Sequence, residues 1–292
     1  MTHKLLKEIM LASAGVLILT AGASAMPQTN KTIKTTVVRA DQQAINNEII
    51  VPKGYTADLL EDWSDDPTDS HVTYKLQRLS RQGMIDNHFY DNNPKDDRQI
   101  NLNNVSESDQ QELSHYALRL TNSIRTQMGL PKFTYSVSTQ SFANDVANEY
   151  NKDYHTGYEH HDISAINRVA KKHGLVNTGD NAYEELGGFD MTIGHQYASI
   201  KTIKQGIYYN IKQIAFGGFV YHNSQESDKE NLNYYTEWYH ANDLFTSDYT
   251  QDFALSLSYL AQDPNNGVQK VTSSHYIHVD PENIMSKTLY EK

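Results

Sequence analysis

The stretch FALSLSY at residues 253–259 alternates large apolar side chains with small ones, and VTSSHYIHV follows at residues 271–279. A period of two residues is typical of a β-strand with one buried face. The run DPNNG at residues 263–267 lies between the two stretches and favours a tight turn. Together these features predict an antiparallel β-hairpin near the end of the chain.

Upstream of the hairpin, the apolar residues recur every three to four positions, which is typical of amphipathic helices. The chain shows four such segments, which begin near residues 106, 136, 162 and 199. Ser106 and Asp109 have capping-box spacing, Asp162 and Gly174 suit the two ends of the third segment, and Gly217 suits the end of the fourth. Helices around a small antiparallel sheet place the folded part in the α+β class.

The first 25 residues have the pattern of a signal peptide. The start is basic through Lys4 and Lys7, residues 9–23 carry no charge, and the ASA sequence that ends at Ala25 fits a signal-peptidase site. We therefore predict cleavage before Met26 and a secreted protein. An uncleaved anchor is the alternative, but a spanning helix needs about 20 apolar residues. No later segment approaches that length, and no sortase-type LPxTG motif indicates a wall anchor.

The composition excludes several classes of protein. The chain has 292 residues, no cysteine and a formal net charge of -11. Without cysteine it has no disulfide, no thiolate metal site and no lipid-modified cysteine. The acidic balance argues against nucleic acid and anionic membranes as partners. The folded part must therefore rely on its own hydrophobic core.

Changes in composition and in hydrophobic periodicity divide the chain into five segments. Residues 1–25 are the signal peptide, and residues 26–70 are predicted to be a flexible polar leader because they show little periodicity. Residues 71–105, which become rich in Asn and Asp, are predicted to be a partly ordered approach segment. Residues 106–284 form the predicted folded domain, and residues 285–292 are a tail.

Three short motifs carry side chains that are suited to chemistry. His161, in YEHHD, directly precedes a predicted helix, whose positive dipole end favours the neutral imidazole that a metal or a proton acceptor requires. Glu184 and Glu185, in YEELGG, can orient an imidazole or bind a metal. His240, in WYHAN, can be a ligand. The alternatives are a solvated loop for His161, a solvated turn for the carboxylates and a core histidine for His240.

The remaining candidates for chemistry are weaker. His275 and His278 are three residues apart on a predicted strand, so they point to opposite faces and cannot bind one metal together. The chain contains no HExxH, GxSxG or P-loop motif. A serine or cysteine nucleophile therefore has no support in the sequence.

Several motifs, read in order, resemble a known family. They are LSHYA at 113–117, NSIR at 122–125, FANDVA at 142–147, HDISAINRVA at 161–170, YE at 183–184, IYY at 207–209 and FGG at 216–218. As a set they resemble the CAP superfamily (cysteine-rich secretory proteins, antigen 5, pathogenesis-related 1). The closer resemblance is to the surface-exclusion domain of surface proteins from Gram-positive lactic-acid bacteria. It covers roughly residues 91–284 and implies an α-β-α sandwich.

The resemblance also implies a cleft with two histidines and two acidic residues, which in some CAP domains holds a divalent metal. His161 matches the first histidine, Glu184 the first acidic residue and His240 the second histidine. Asn210 stands where the other acidic residue is expected. Because an amide replaces a carboxylate there, we expect a divalent metal such as zinc to be weakly bound or absent, and Asn210→Glu to strengthen its binding.

These observations lead to three functional hypotheses. The first is a secreted, non-catalytic surface-exclusion or adhesion protein whose partner is a cell-surface protein or a wall component. The second is a metal-dependent hydrolase of cell-wall polymer or peptide that uses His161, Glu184 and His240. The third is a lipid or small-molecule binding protein. The replaced acidic residue favours the non-catalytic hypothesis over the hydrolase.

Overall fold

The computed structural model describes residues 48–217, 230–262 and 269–292. The predicted signal peptide and the turn at 263–267 lie outside these residues. The α-helices of the described residues are α1 Ala57–Asp65, α2 Ser70–Asp86, α3 Glu107–Gln127, α4 Val137–Asp153, α5 Ile163–Lys172, α6 Ile200–Phe216, α7 Tyr239–Phe245 and α8 Lys287–Tyr290. None of them is both long enough and apolar enough to cross a membrane.

The strands form one four-stranded sheet and one small pair. They are β1 Gln99–Asn101, β2 Thr134–Tyr135, β3 Glu184–Gly188, β4 Tyr197–Ser199, β5 Asp252–Gln262 and β6 Gln269–Val279. The main sheet has the order β2-β5-β6-β3, and β1 pairs with β4. The predicted hairpin is confirmed, since β5 and β6 are antiparallel neighbours with Leu255 opposite Tyr276. β3 is the edge strand beside β6.

The sheet lies between two helical layers because its strands alternate their side chains between two faces. Leu255 and Tyr276 belong to the cluster that contains the buried residues of α3, α6 and α7. Ala254 and Ile277 point the other way and pack with α4 and α5. The structure therefore confirms the predicted α+β class and the α-β-α sandwich.

The helix ends follow the local signals in the sequence. The Ser106 hydroxyl accepts a hydrogen bond from the Asp109 N–H at 3.2 Å and begins α3. The Asp162 carboxylate accepts from the Ala165 N–H at 2.9 Å and begins α5. Gly217 ends α6 with a φ of 62°, a conformation in which glycine avoids the strain of a side chain. These helices form where the sequence predicts them.

The ordered part of the chain extends beyond the predicted domain of residues 106–284 at both ends. Residues 48–70 do not form a flexible leader, because α1 lies here and its Leu59, Leu60 and Trp63 are buried in the main core. The approach segment begins with the 17-residue helix α2. In the tail, Tyr290 is buried and its hydroxyl lies 2.5 Å from that of Thr139. These few apolar residues are ordered because distant parts of the chain cover them.

Candidate functional site

The edge strand β3 carries two carboxylates at adjacent positions, Glu184 and Glu185. Glu184 and Glu185 are each only 1% exposed, so the expectation of a solvated turn at this motif is wrong. Consecutive residues of a strand point to opposite faces. Glu184 therefore points into the layer of α4 and α5, whereas Glu185 points into the layer of α6 and α7.

Glu184 accepts hydrogen bonds from three side chains. The Nδ1 of His161, just before α5, lies 2.9 Å from Glu184 Oε2, and the Tyr150 hydroxyl donates to the same oxygen at 2.5 Å. The Nδ1 of His275 lies 2.7 Å from Glu184 Oε1. Burial on its own would raise the pKa of Glu184, but the two histidines overcome it and lower the pKa to about 2. Glu184 is therefore a buried carboxylate anion.

His240 pairs with Glu185 on the other side of the strand. It lies in the first turn of α7, and its Nδ1 forms a hydrogen bond with Glu185 Oε2. Burial would lower the pKa of His240, but the carboxylates of Glu185 and Glu237 raise it to about 9. Burial also raises the pKa of Glu185. The imidazole of His240 and the carboxyl group of Glu185 thus form a hydrogen-bonded pair at the edge of the sheet.

The two histidines meet around the edge of β3. The ring centroids of His161 and His240 are 6.2 Å apart, and their side chains are 23% and 28% exposed. Burial would lower the pKa of His161, but the Glu184 carboxylate raises it above its ordinary value. The structure thus brings together His161, Glu184 and His240, which the sequence analysis selected. It also adds Glu185, whose role as the partner of His240 was not predicted.

The described contacts of Asn210 are with β3 and β6, and none of its described hydrogen bonds is to His161 or His240. It is buried, and its amide donates to the Ser274 hydroxyl at 3.0 Å. The amide also lies against Gly187, so closely that a Cβ added to this glycine would come within 2.5 Å of the amide nitrogen. The premise that the cleft has one carboxylate is therefore wrong, since Glu185 supplies the second. Asn210→Glu would bury a carboxylate against Gly187 of β3 and Ser274 of β6, so it is not expected to strengthen zinc binding.

The side chains as arranged do not form a three-ligand metal site with Glu184. Each oxygen of Glu184 already accepts a hydrogen bond from a histidine. In the described ranges, no group of three or more His, Cys, Asp or Glu side chains is placed to hold a metal. The Nδ1 atoms of His161 and His240 face their carboxylates. Any metal would have to bind through the Nε2 atoms and solvent.

The sequence did not connect three residues with the cleft that the structure places next to Glu184. His275 and Tyr150 hold Glu184, and Ser258 holds the other nitrogen of His275 at 2.8 Å. His275 and Ser258 lie on the predicted hairpin, and their alternation shows correctly which face each occupies. Their partner Glu184 could not be predicted, because nothing in the sequence showed that EELGG forms the strand beside β6.

The sandwich, together with a cleft formed by paired histidines at a sheet edge, defines a protein with a CAP-like fold. The solved structure titled "CAP domain of Enterococcal PrgA" is similar to this chain, with a TM-score of 0.60 and 23% sequence identity. The likeness covers 82% of this chain and 88% of that one, and it concerns the fold. No protein-family model and no curated protein matches the chain.

The buried anion predicts a specific pH dependence of stability. Because folding lowers the pKa of Glu184 from 4.5 to about 2, its contribution is fully present above pH 4.5 and is lost as the pH falls towards 2. Linkage gives this contribution as about 3 kcal/mol. Glu184→Gln should therefore cost roughly that amount at pH 7, and the cost should shrink below pH 4.5.

Urea unfolding of both proteins from pH 2.5 to pH 7 measures this effect. Glu112→Gln is the control, because the Glu112 side chain is 39% exposed, and ion pairs of an exposed carboxylate contribute at most about 1 kcal/mol. A gap between Glu184→Gln and the parent protein that stays constant over this range would contradict the prediction.

Proposed function

We propose that this protein is a secreted CAP-like protein of the surface-exclusion type, which acts outside the cell by binding a cell-surface protein or a wall component and does not catalyse a reaction. The observation that carries the proposal is the internal pairing of the cleft. Each buried carboxylate is bound to a histidine, so neither Glu184 nor Glu185 is left to activate water. The likeness to the CAP domain of enterococcal PrgA concerns the fold and supports the CAP-like part of the proposal.

The hydrogen bonds within the cleft favour binding of a partner over catalysis. A catalytic zinc site has three protein ligands and an open position for water. Here Glu184 is held by three donors, so recruiting it to a metal would leave His275 and Tyr150 without their acceptor inside the protein. The cost of unpaired buried polar groups opposes that rearrangement. The partly exposed rings of His161 and His240 can instead contact a partner directly.

The proposal is tested with the secreted protein, added to Gram-positive cells and to purified cell wall. We expect saturable binding to cells, weakened by the double variant His161→Ala/His240→Ala, and no release of wall fragments with or without a chelator. His115→Ala is the matched control, because His115 is exposed and lies against Tyr135 on another part of the surface. Wall or peptide hydrolysis that is lost with His161→Ala or with chelator would overturn the proposal.

A metal-dependent hydrolase is the second candidate, and one observation favours it. Glu185 restores the second carboxylate, so both histidines are oriented by carboxylates through Nδ1, as metal-binding histidines commonly are. A proton on His240, whose pKa is about 9, must leave before a metal can bind. Any zinc affinity should therefore rise about tenfold between pH 7 and pH 8.

Calorimetric titration with zinc at these two pH values tests the candidate, with His115→Ala as the control and His240→Ala as the variant that should lose the pH dependence. Tight, stoichiometric binding at pH 7 that His161→Ala abolishes would promote the hydrolase over the recognition role. Binding that does not change with pH would show that His240 is not a ligand.

The third hypothesis, a lipid carrier, gains little from the structure. The cavity of about 480 Å³ between α4 and α5 is lined mainly by charged side chains, among them Asp145, Glu149, Lys152 and Arg168. Several of these residues form ion pairs with one another. A lipid chain bound there would remove these charged groups from water, so this cavity does not suit it.

A further inference from the structure

Four side chains form a continuous hydrogen-bond relay from the middle of the sheet to the cleft, in the order Ser258, His275, Glu184 and His161. The Ser258 hydroxyl lies 2.8 Å from His275 Nε2, and His275 Nδ1 lies 2.7 Å from Glu184 Oε1. The other oxygen of Glu184 holds His161 Nδ1 at 2.9 Å. Ser258, His275 and Glu184 are at most 2% exposed, whereas the His161 side chain is 23% exposed. Only His161 belongs to the surface of the cleft.

The register of the sheet explains this alignment. Ser258 pairs with Ser273 across β5 and β6, so it is the diagonal neighbour of His275 on the same face. Glu184 pairs with Ile277 across β3 and β6, so it is the diagonal neighbour of His275 on the other side. Three adjacent strands thus contribute one side chain each.

The direction of every hydrogen bond in this relay follows from the negative charge of Glu184. A carboxylate anion only accepts, so His161 Nδ1, His275 Nδ1 and the Tyr150 hydroxyl must all donate to it. The Tyr150 oxygen also accepts from the Asp162 N–H at 2.7 Å, which is consistent with its proton pointing at Glu184. A neutral His275 then has a lone pair on Nε2, and the Ser258 hydroxyl is its donor.

We propose that Ser258 and His275 are positioning residues that fix, through Glu184, which ring nitrogen of His161 faces the cleft. With this relay intact, His161 carries its proton on Nδ1 and presents Nε2 as an acceptor or ligand. These directions follow from the hydrogen-bond geometry together with the negative charge of Glu184, so they hold whether the cleft recognises a partner or binds a metal.

Loss of the Ser258 hydroxyl disturbs the relay at its buried end. The lone pair on His275 Nε2 is then buried without a donor, and the other tautomer of His275 would turn a lone pair towards the Glu184 anion. Either result weakens the bond from His275 to Glu184 and lets the carboxylate turn. His161 is then no longer confined to one tautomer.

The experiment is ¹⁵N NMR of the histidine-labelled full secreted chain, at a pH where the imidazoles are neutral. In the parent protein we expect His161 and His275 to be Nδ1–H tautomers. In Ser258→Ala, the tautomer ratio of His161 should fall about fivefold, which corresponds to the loss of one ordinary hydrogen bond. Ser256→Ala is the matched control, because Ser256 is buried on the same face of β5 but bonds to Asn144 at 2.8 Å.

Two outcomes overturn the proposal. An Nε2–H tautomer of His161 or His275 in the parent protein would show that the relay does not run in this direction, and this measurement needs no variant. An equal effect of Ser256→Ala and Ser258→Ala on His161 would show a general loosening of the sheet. Tyr183→Phe is a further control for loss of a buried hydroxyl, since Tyr183 packs in the same layer and bonds to the Val176 carbonyl at 2.6 Å.

Discussion

A chain that begins at Ser70 is expected to lose most of its folding stability, whereas one that begins at Glu48 keeps it. The difference lies in the buried side chains that the shorter chain lacks: Ile49, Tyr55, Leu59, Leu60 and Trp63. Burying a large apolar side chain stabilises a protein by about 1.5–3 kcal/mol. Five such residues contribute an amount comparable with the whole stability of a typical domain, about 5–15 kcal/mol.

The contacts of α1 show why its removal cannot be compensated locally. The ring of Trp63 packs edge-on against Trp238 and Tyr239, with centroids 5.2 Å and 4.9 Å away. These two residues directly precede His240. The Tyr55 hydroxyl also donates to the Ala215 carbonyl in α6. Without α1, the helix that carries His240 would expose an aromatic surface.

Thermal and urea unfolding of the two truncated chains measures this effect. The chain that begins at Glu48 is the control, because it retains every contact described above. We expect a cooperative transition for the control, and an aggregated or largely unfolded state for the shorter chain. A cooperative transition of equal midpoint for the chain that begins at Ser70 would show that residues 48–69 are dispensable, as the sequence alone suggests.

The second large effect is expected for Arg125→Met in α3. The Arg125 side chain is fully buried, and its guanidinium donates to the carbonyls of Pro131, Leu244 and Ser247 at 2.5–2.7 Å. It also lies over the ring of Phe133, 3.8 Å from the centroid. Methionine fills much of the space but leaves these carbonyls without a donor, so we expect a loss of roughly 3–5 kcal/mol.

Urea unfolding at pH 7 checks this prediction. Burial lowers the pKa of Arg125 to about 10, so the side chain is still charged at that pH. Arg119→Met is the matched control, because Arg119 lies on the same helix with an exposed side chain above Tyr116. Its replacement should cost about 1 kcal/mol or less. Equal losses for the two variants would contradict the assignment of Arg125 as a buried donor that links α3 to the last turn of α7 and to the residues after it.

The sequence predicts those parts of the fold whose signal is local. The alternation in FALSLSY and the turn that follows it are enough for the hairpin. Capping residues such as Ser106 and Asp162 mark helix ends because they bond to backbone groups within three residues. The α+β class and the resemblance to CAP domains follow from these elements taken in order. The same local reading placed His161, Glu184 and His240 among the candidate residues.

Tertiary structure alone decided which of these residues act together. EELGG has neither clear alternation nor a strong strand composition, and it becomes β3 because β6 offers it an edge. Only then does Glu184 reach His275, 91 positions away, and Glu185 reach His240, 55 positions away. Likewise, α1 is ordered by aromatic rings of α7 rather than by its own propensity. Sequence periodicity indicates which face of a helix or strand is buried. The residues that pack on that face come from distant segments, so the local sequence does not identify them.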